Sequence, residues 1–272
     1  MQATQSAPFK SGMFATLIGV AVLALPGCGG GGGGTATTSA STPGQAQGIY
    51  TGSFSTSAFP TGRFSTLVLD NDEIWTLYGQ EGGSGQLLVY GLMQGQGASN
   101  NGAFTSNSIM DYVYDGTSMS ATLNATYQVG SSFNGTVSAN GQSVSFSGTA
   151  PAPGSTSYNY NTPASLSDIS GSWAANNMSG VTSNYTISAG GTFSGSNQYG
   201  CGFSGSVSPR ASGKNVFDVT ITNNTSVACG VASSLSGRGI AVSSVLSNST
   251  RQLIVALVSS DRHYGSVLFA TR

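Results

Sequence analysis

The segment Phe133 to Ser138, the dipeptide Asn140-Gly141 and the segment Ser143 to Gly148 restrict this chain more than any other stretch. Asn-Gly accepts the positive φ values that a tight two-residue turn demands, and short β-forming segments flank it, so the stretch encodes a β-hairpin. The same grammar recurs along most of the chain. Val, Ile, Thr, Tyr and Phe are spaced between turn formers, and only 6% of residues are charged. That is β composition, and it argues against an all-helical fold.

Between Gly48 and Ala150 about eight strands can be read. Ile49 to Phe54 alternates apolar with polar, as a half-buried strand does. Arg63 to Leu69 and Glu73 to Tyr78 form a hairpin around Asp70-Asn71-Asp72. Gln86–Gln94, Ala103–Met110, Ser118–Tyr127 and the Asn-Gly hairpin follow, an antiparallel meander by the preference for adjacent pairing. A stretch rich in Pro, Gly, Ser and Tyr then interrupts the pattern. Strands restart near Ile169 and continue to Ala270. Leu253 to Val258 is apolar on both faces, which predicts a central, buried strand. Closing each sheet removes exposed edges. The predicted fold is therefore all-β, two antiparallel up-and-down barrels of about eight strands each. The expected division is 48–150 for the first barrel, 151–165 for a linker and 166–272 for the second. Three echoes suggest a duplication: Ile169 to Trp173 with Ile49 to Phe54, Gly191 to Ser194 with Gly102 to Thr105, and Phe203 to Val207 with Phe133 to Val137.

The first 47 residues follow different rules. Lys10 precedes an apolar run from Met13 to Leu25. That run suits the core of an export signal and falls short of the roughly 20 residues a spanning helix needs. Leu25-Pro26-Gly27-Cys28 then resembles the lipobox of bacterial lipoproteins, although Pro26 stands where a small residue is usual. The resemblance implies that 1–27 is a cleaved signal peptide and that Cys28 is diacylated and then N-acylated, the palmitate-type anchor of a membrane-held protein. Gly29 after the cysteine implies the outer membrane. Residues 28–47 hold a glycine run and small polar residues, a composition expected to act as a flexible tether with a reach of about 25 Å. Two or three acyl chains, at roughly 0.8 kcal/mol per buried CH₂, suffice to hold a protein on a bilayer. The order of features is similar to that of secreted, glycine-rich lipoproteins of Gram-negative bacteria, in which small β-barrels follow a poly-glycine tether. The likeness rests on Leu25 to Gly34 and on Cys201 to Arg210 with Cys229 downstream. It implies location and shape, and no activity.

Besides Cys28 the chain holds Cys201 and Cys229. In an oxidising compartment an even pair defaults to a disulfide. Two buried thiols or metal ligands are the alternatives, and neither cysteine has a CxxC partner. Charge is unevenly placed. In 28–168 Arg63 stands alone against Asp70, Asp72, Glu73, Glu81, Asp111, Asp115 and Asp168, whereas 169–272 sets Arg210, Lys214, Arg238, Arg251, Arg262 and Arg272 against Asp218 and Asp261. Such asymmetry suggests that the halves dock on one another or that the second faces a polyanion.

No catalytic constellation stands out. No Gly-x-Ser-x-Gly occurs, and the single histidine, His263, sits two residues after Asp261 in a predicted hairpin turn. Asp70, Asp72 and Glu73 read as turn chemistry before they read as a glycosidase pair or a loose calcium site. Asp111 and Asp115 bracket Tyr112 to Tyr114. Gly200 to Gly205 matches G-x-G-x-x-G but leads into a strand, where a nucleotide fold needs a helix. Tyr50, Phe54, Trp75, Tyr78, Tyr90, Tyr112, Trp173, Tyr185, Phe193 and Phe203 either fill the barrels or line a pocket. The expected role is a non-enzymatic outer-membrane lipoprotein that binds or adheres through its loops, with a surface protein or polyanion as partner and neither cofactor, metal nor nucleic acid. A lipocalin-like carrier of a small apolar ligand, with a cavity of several hundred Å³ in one barrel, is the main alternative; an envelope enzyme or enzyme inhibitor is the other.

Overall fold

The computed structural model describes residues 45–83, 87–152, 158–223, 236–246 and 249–272. Cys28, the tether and Cys229 lie outside the described residues. The first barrel is built from β1 (Gly48–Phe54), β2 (Gly62–Val68), β3 (Glu73–Glu81), β4 (Leu87–Gln96), β6 (Ala103–Val113), β7 (Ser118–Gln128), β8 (Ser132–Ala139) and β9 (Gln142–Thr149). All neighbours are antiparallel. β1 pairs with both β2 and β9, and β4 pairs with β6, so the ring closes. The short β5 (Ala98–Asn100) rides on β6 as an extra ribbon.

The second barrel closes in chain order: β10 (Gly171–Asn177), β11 (Thr182–Ile187), β12 (Thr192–Asn197), β13 (Gly202–Pro209), β14 (Phe217–Asn223), β15 (Ser236–Val245), β16 (Arg251–Ser259) and β17 (Gly265–Thr271). The all-β, two-barrel expectation is met. The echoes fare differently. Ile49 and Ile169 both lead into the first strand of a barrel. The other two pairs fall on the fifth and third strands and on the seventh and fourth, positions that are not equivalent.

The Asn-Gly hairpin forms as read. Asn140 and Gly141 have φ of 50° and 74°, the left-handed pair of a tight hairpin turn, and Ala139 faces Gln142 across it. Gly141→Ala places a Cβ in that conformation and is expected to cost about 1 kcal/mol in urea unfolding; an unchanged midpoint would show that the turn tolerates either residue.

The two barrels share a core. β2, β3, β4 and β6 turn Leu67, Trp75, Leu92 and Tyr112 outward, and Ile240, Ala256, Val258, Val267 and Phe269 of β15–β17 meet them. Tyr158 and Tyr160, in the stretch expected to be a plain linker, are buried in the same cluster. This explains the doubly apolar β16. Leu253 and Val255 face their own lumen, while Ala256 and Val258 cover the first barrel.

Opposite charges frame the apolar contact. Arg210 Nε lies 2.6 Å from Asp70 Oδ1, and Arg238 Nη1 lies 2.6 Å from the buried Glu73 Oε1. Gln94 Nε2 donates to the same Glu73 oxygen at 2.7 Å. Arg262 Nη2 donates to the carbonyls of Ser108 at 2.6 Å and Gln94 at 3.1 Å. Mutual docking therefore accounts for half of the second barrel's cations. Arg251 pairs with Asp168, Arg272 lies over the Trp173 ring and Lys214 reaches Asn161 Oδ1, so the expected polyanion-facing surface has its cations engaged within the molecule.

Candidate functional site

The two lumens are filled differently. In the second, Trp173, Ile187, Phe217, Leu253 and Val255 pack with Ile169 across the end, and the central void is only about 30 Å³. Trp173 Nε1 donates to the Ile169 carbonyl at 2.7 Å, so the largest ring of the plug is also satisfied. A hollow of about 380 Å³ remains at the far end of this barrel, lined among the described residues by Ser183, Asn197, Phe203, Leu257 and Tyr264 and more polar than the lumen of the first.

The first barrel is plugged at one end and hollow at the other. At the plugged end Phe133 stacks on Tyr50 and meets Phe104 edge-on, with ring centroids 5.2 Å and 5.4 Å apart. Ala46 closes it, accepting the Tyr50 hydroxyl at 3.1 Å on its carbonyl. Above the plug the inward side chains become small or flexible: Thr66, Thr76, Met93, Met119 and Ala121. A cavity of about 380 Å³ results. It reaches the end that carries the β1–β2 loop and the β8–β9 turn, because Thr56, Ala58, Phe59 and Asn140 are part of its wall.

Thr56, Asn140 and Gln142 line its open end, and two further features break the apolar lining. The Thr66 and Thr76 hydroxyls satisfy one another at 2.8 Å. The other feature is Asp111 on β6, about nine-tenths buried, whose Oδ1 accepts the Tyr78 hydroxyl at 2.8 Å. Among the described residues no donor reaches its second oxygen and no cation faces it. Burial pushes the carboxyl up to about 6, the Tyr78 hydrogen bond pulling weakly the other way. The same burial, followed by the adjacent carboxyl, raises the Tyr78 hydroxyl. Beside Tyr78 stand Phe54 and Phe59, with centroids 5.9 to 6.3 Å apart in edge-on contacts.

The sequence candidates scatter. Asp115 lies in the β6–β7 turn, where Thr117 donates to it and holds its carboxyl below the ordinary value, so it does not pair with Asp111. Asp72 sits at φ 62° at the opposite end of the barrel and accepts both the backbone N–H and hydroxyl of Ser99, at 2.8 and 2.6 Å. Asp70 and Glu73 belong to the barrel junction. Among the described residues no cluster of His, Cys, Asp and Glu is arranged to hold a metal. His263 is exposed in the β16–β17 turn, with Nδ1 3.1 Å from Asp261. Hydrogen bonds from Ser259 and then His263 hold that carboxyl down to about 2. Cys201 opens the approach to β13, its N–H donating to Asn197 Oδ1 at 3.0 Å. Of the aromatics expected to fill the barrels or line a pocket, Phe54 and Tyr78 line this cavity and Phe203 lines the hollow of the second barrel. Trp75 and Tyr112 face the junction, and Tyr90 meets Phe59 and Tyr114.

The fold and this lumen together define a protein of two docked β-barrels, the first hollow and carrying one buried acid. No family model matches the chain, and no curated protein matches it. Among solved structures it is similar to a single-residue variant of the vaccine antigen transferrin binding protein B from Haemophilus parasuis, at 9% identity, over 78% of this chain and 51% of that one, with a TM-score of 0.25. Isotype 1 transferrin binding protein B from serogroup B Neisseria meningitidis matches at 11% identity over 82% and 51%, with a TM-score of 0.25. A protein of unknown function from the DUF3598 family of Nostoc punctiforme matches at 10% identity over 83% and 94%, with a TM-score of 0.23. The chain spans about half the length of the two transferrin binding proteins. Likeness this distant carries no argument about partner or ligand. Among the described residues, no helix is long and apolar enough to cross a membrane.

Proposed function

We propose that this chain is a non-enzymatic binding module of the bacterial cell envelope that holds a small apolar ligand in the lumen of its first barrel. The observation that carries the reading is the cavity of about 380 Å³, lined by Ile74, Leu123, Val144 and aromatic rings and reaching one barrel end. Pockets of this size with few polar groups suit small ligands. The second barrel, closed through its middle to a void of about 30 Å³, serves as a brace that covers the apolar outer wall of the first. Binding thus resides in the lumen and not in the surface loops. Anchoring through acylated Cys28 on the outer membrane belongs to the same proposal, supported by Leu25 to Cys28 and the glycine tether; the intact mass of the native protein tests it. A Cys201–Cys229 disulfide is proposed with it, and a mass gain on alkylation only after reduction would support it.

The lumen is tested with the neutral fluorescent probe N-phenylnaphthylamine. Saturable fluorescence enhancement is expected from the full-length protein. Ala121→Trp, which places an indole in the hollow, is expected to weaken binding at least ten-fold. Enhancement that survives Ala121→Trp unchanged would place the probe elsewhere and remove the lumen reading.

A further inference from the structure

We infer that the ligand of the first barrel is a cation with an apolar body, an amine whose charged end pairs with Asp111 while its hydrocarbon or aromatic part fills the lumen. This rests on the lumen being the binding site. Three observations carry it. Among the described residues Asp111 is the sole charged side chain on the cavity wall. It is buried among apolar groups, with Tyr78 as its one hydrogen-bond partner and a second oxygen that nothing in the described protein occupies. A buried carboxylate without a counter-ion is costly, and a bound cation would supply what the protein withholds. Finally, Phe54 and Phe59 gather around Tyr78, the residue that donates to the carboxyl, with the three centroids within 6.3 Å of one another and all on the same cavity wall. Aromatic faces beside an acid are the surroundings that attract organic ammonium ions. An anionic amphiphile such as a fatty acid would meet Asp111 as a like charge.

The groups that bear on the carboxyl are few. Tyr78 faces it from β3 and stays protonated, its hydroxyl being raised. Asp115, on the turn beyond β6, adds a further negative charge that acts on Tyr78. Arg63 lies near that end of the barrel but is engaged by Glu81 at 2.7 Å. No other described titratable group acts on Asp111 directly.

Three probes share one apolar body: 4-phenylbutylamine, 4-phenylbutanol and 4-phenylbutanoate. Calorimetric titration of the full-length protein at pH 8 is expected to show the amine at least ten-fold tighter than the alcohol, and no measurable binding of the carboxylate. The amine stays protonated from pH 8 to pH 5, whereas Asp111 takes up a proton. Amine affinity should therefore fall about ten-fold over that range, and the alcohol's should not. Asp111→Asn should bring the amine down to the alcohol's level. Equal affinity of amine and alcohol at pH 8 would overturn the cation and leave the lumen reading standing. Failure of all three probes, together with loss of the naphthylamine signal, would overturn both. The wild-type series needs no variant, so a poorly folding Asp111→Asn leaves the inference testable.

Discussion

Asp111→Asn is expected to stabilise the ligand-free protein by about 3 kcal/mol at pH 8 and to change nothing near pH 3. The fold raises this carboxyl from its ordinary 3.8 to about 6, chiefly through burial. A raised acid favours the protonated native state. Its contribution to stability is complete below 3.8 and is lost as pH climbs through about 6. The gap corresponds to about 3 kcal/mol once the group is ionised. The amide has no charge to desolvate, and its oxygen still accepts the Tyr78 hydroxyl. Urea unfolding of both proteins at the two pH values measures the difference, which isolates this residue from the other acids. Equal stability at pH 8 would mean that Asp111 is hydrated in solution, and the account of the lumen would fail with it. A substitution that stabilises the empty protein and weakens ligand binding is the trade-off expected of a functional site.

The second large effect lies at the junction of the barrels. A Cβ on Gly265 would meet the Tyr112 ring at 2.4 Å, so only glycine lets the start of β17 lie against that ring. Tyr112 is fully buried, and its hydroxyl donates to the Arg262 carbonyl at 3.0 Å. Tyr112→Ala is expected to cost about 3–5 kcal/mol, the range for removing a buried aromatic. Gly265→Val is expected to cost about 1–3 kcal/mol by overpacking. The two should fall well short of additive, because each already destroys the same contact. Calorimetry of either variant should resolve one cooperative transition into two, since the barrels would no longer unfold together. A single transition in both variants, at an unchanged midpoint, would show that the junction contributes little.

Most of the fold was legible because β-structure announces itself locally. Alternation over five to eight residues and turn residues such as Asn140-Gly141 depend on near neighbours alone. The junction was half legible. Segregated charge pointed to docking, with a polyanion as the alternative, and pairing across the barrels at Arg210–Asp70 and Arg238–Glu73 decided it. The doubly apolar Leu253 to Val258 announced burial on both faces and could not name the outer partner.

The site was the least legible part, for a specific reason. Counting by twos from the inward Phe104 puts Asp111 on the outer face of its strand. Between Ser106 and Ile109 the register of β6 against β7 shifts, and this irregularity turns Ile109 and Asp111 inward. A one-residue irregularity of that kind leaves no reliable trace in composition, so the acid was read with Asp115 across an ordinary turn. Small inward residues such as Thr66 and Ala121 were likewise unremarkable until closure of the ring set them around one space. The chain alone thus determined the sheet-forming segments and the turns, because each is a matter of neighbours in sequence. Which lumen is hollow, which acid faces it and how the barrels brace each other were decided in three dimensions, where strand register and ring closure choose the side on which every side chain falls.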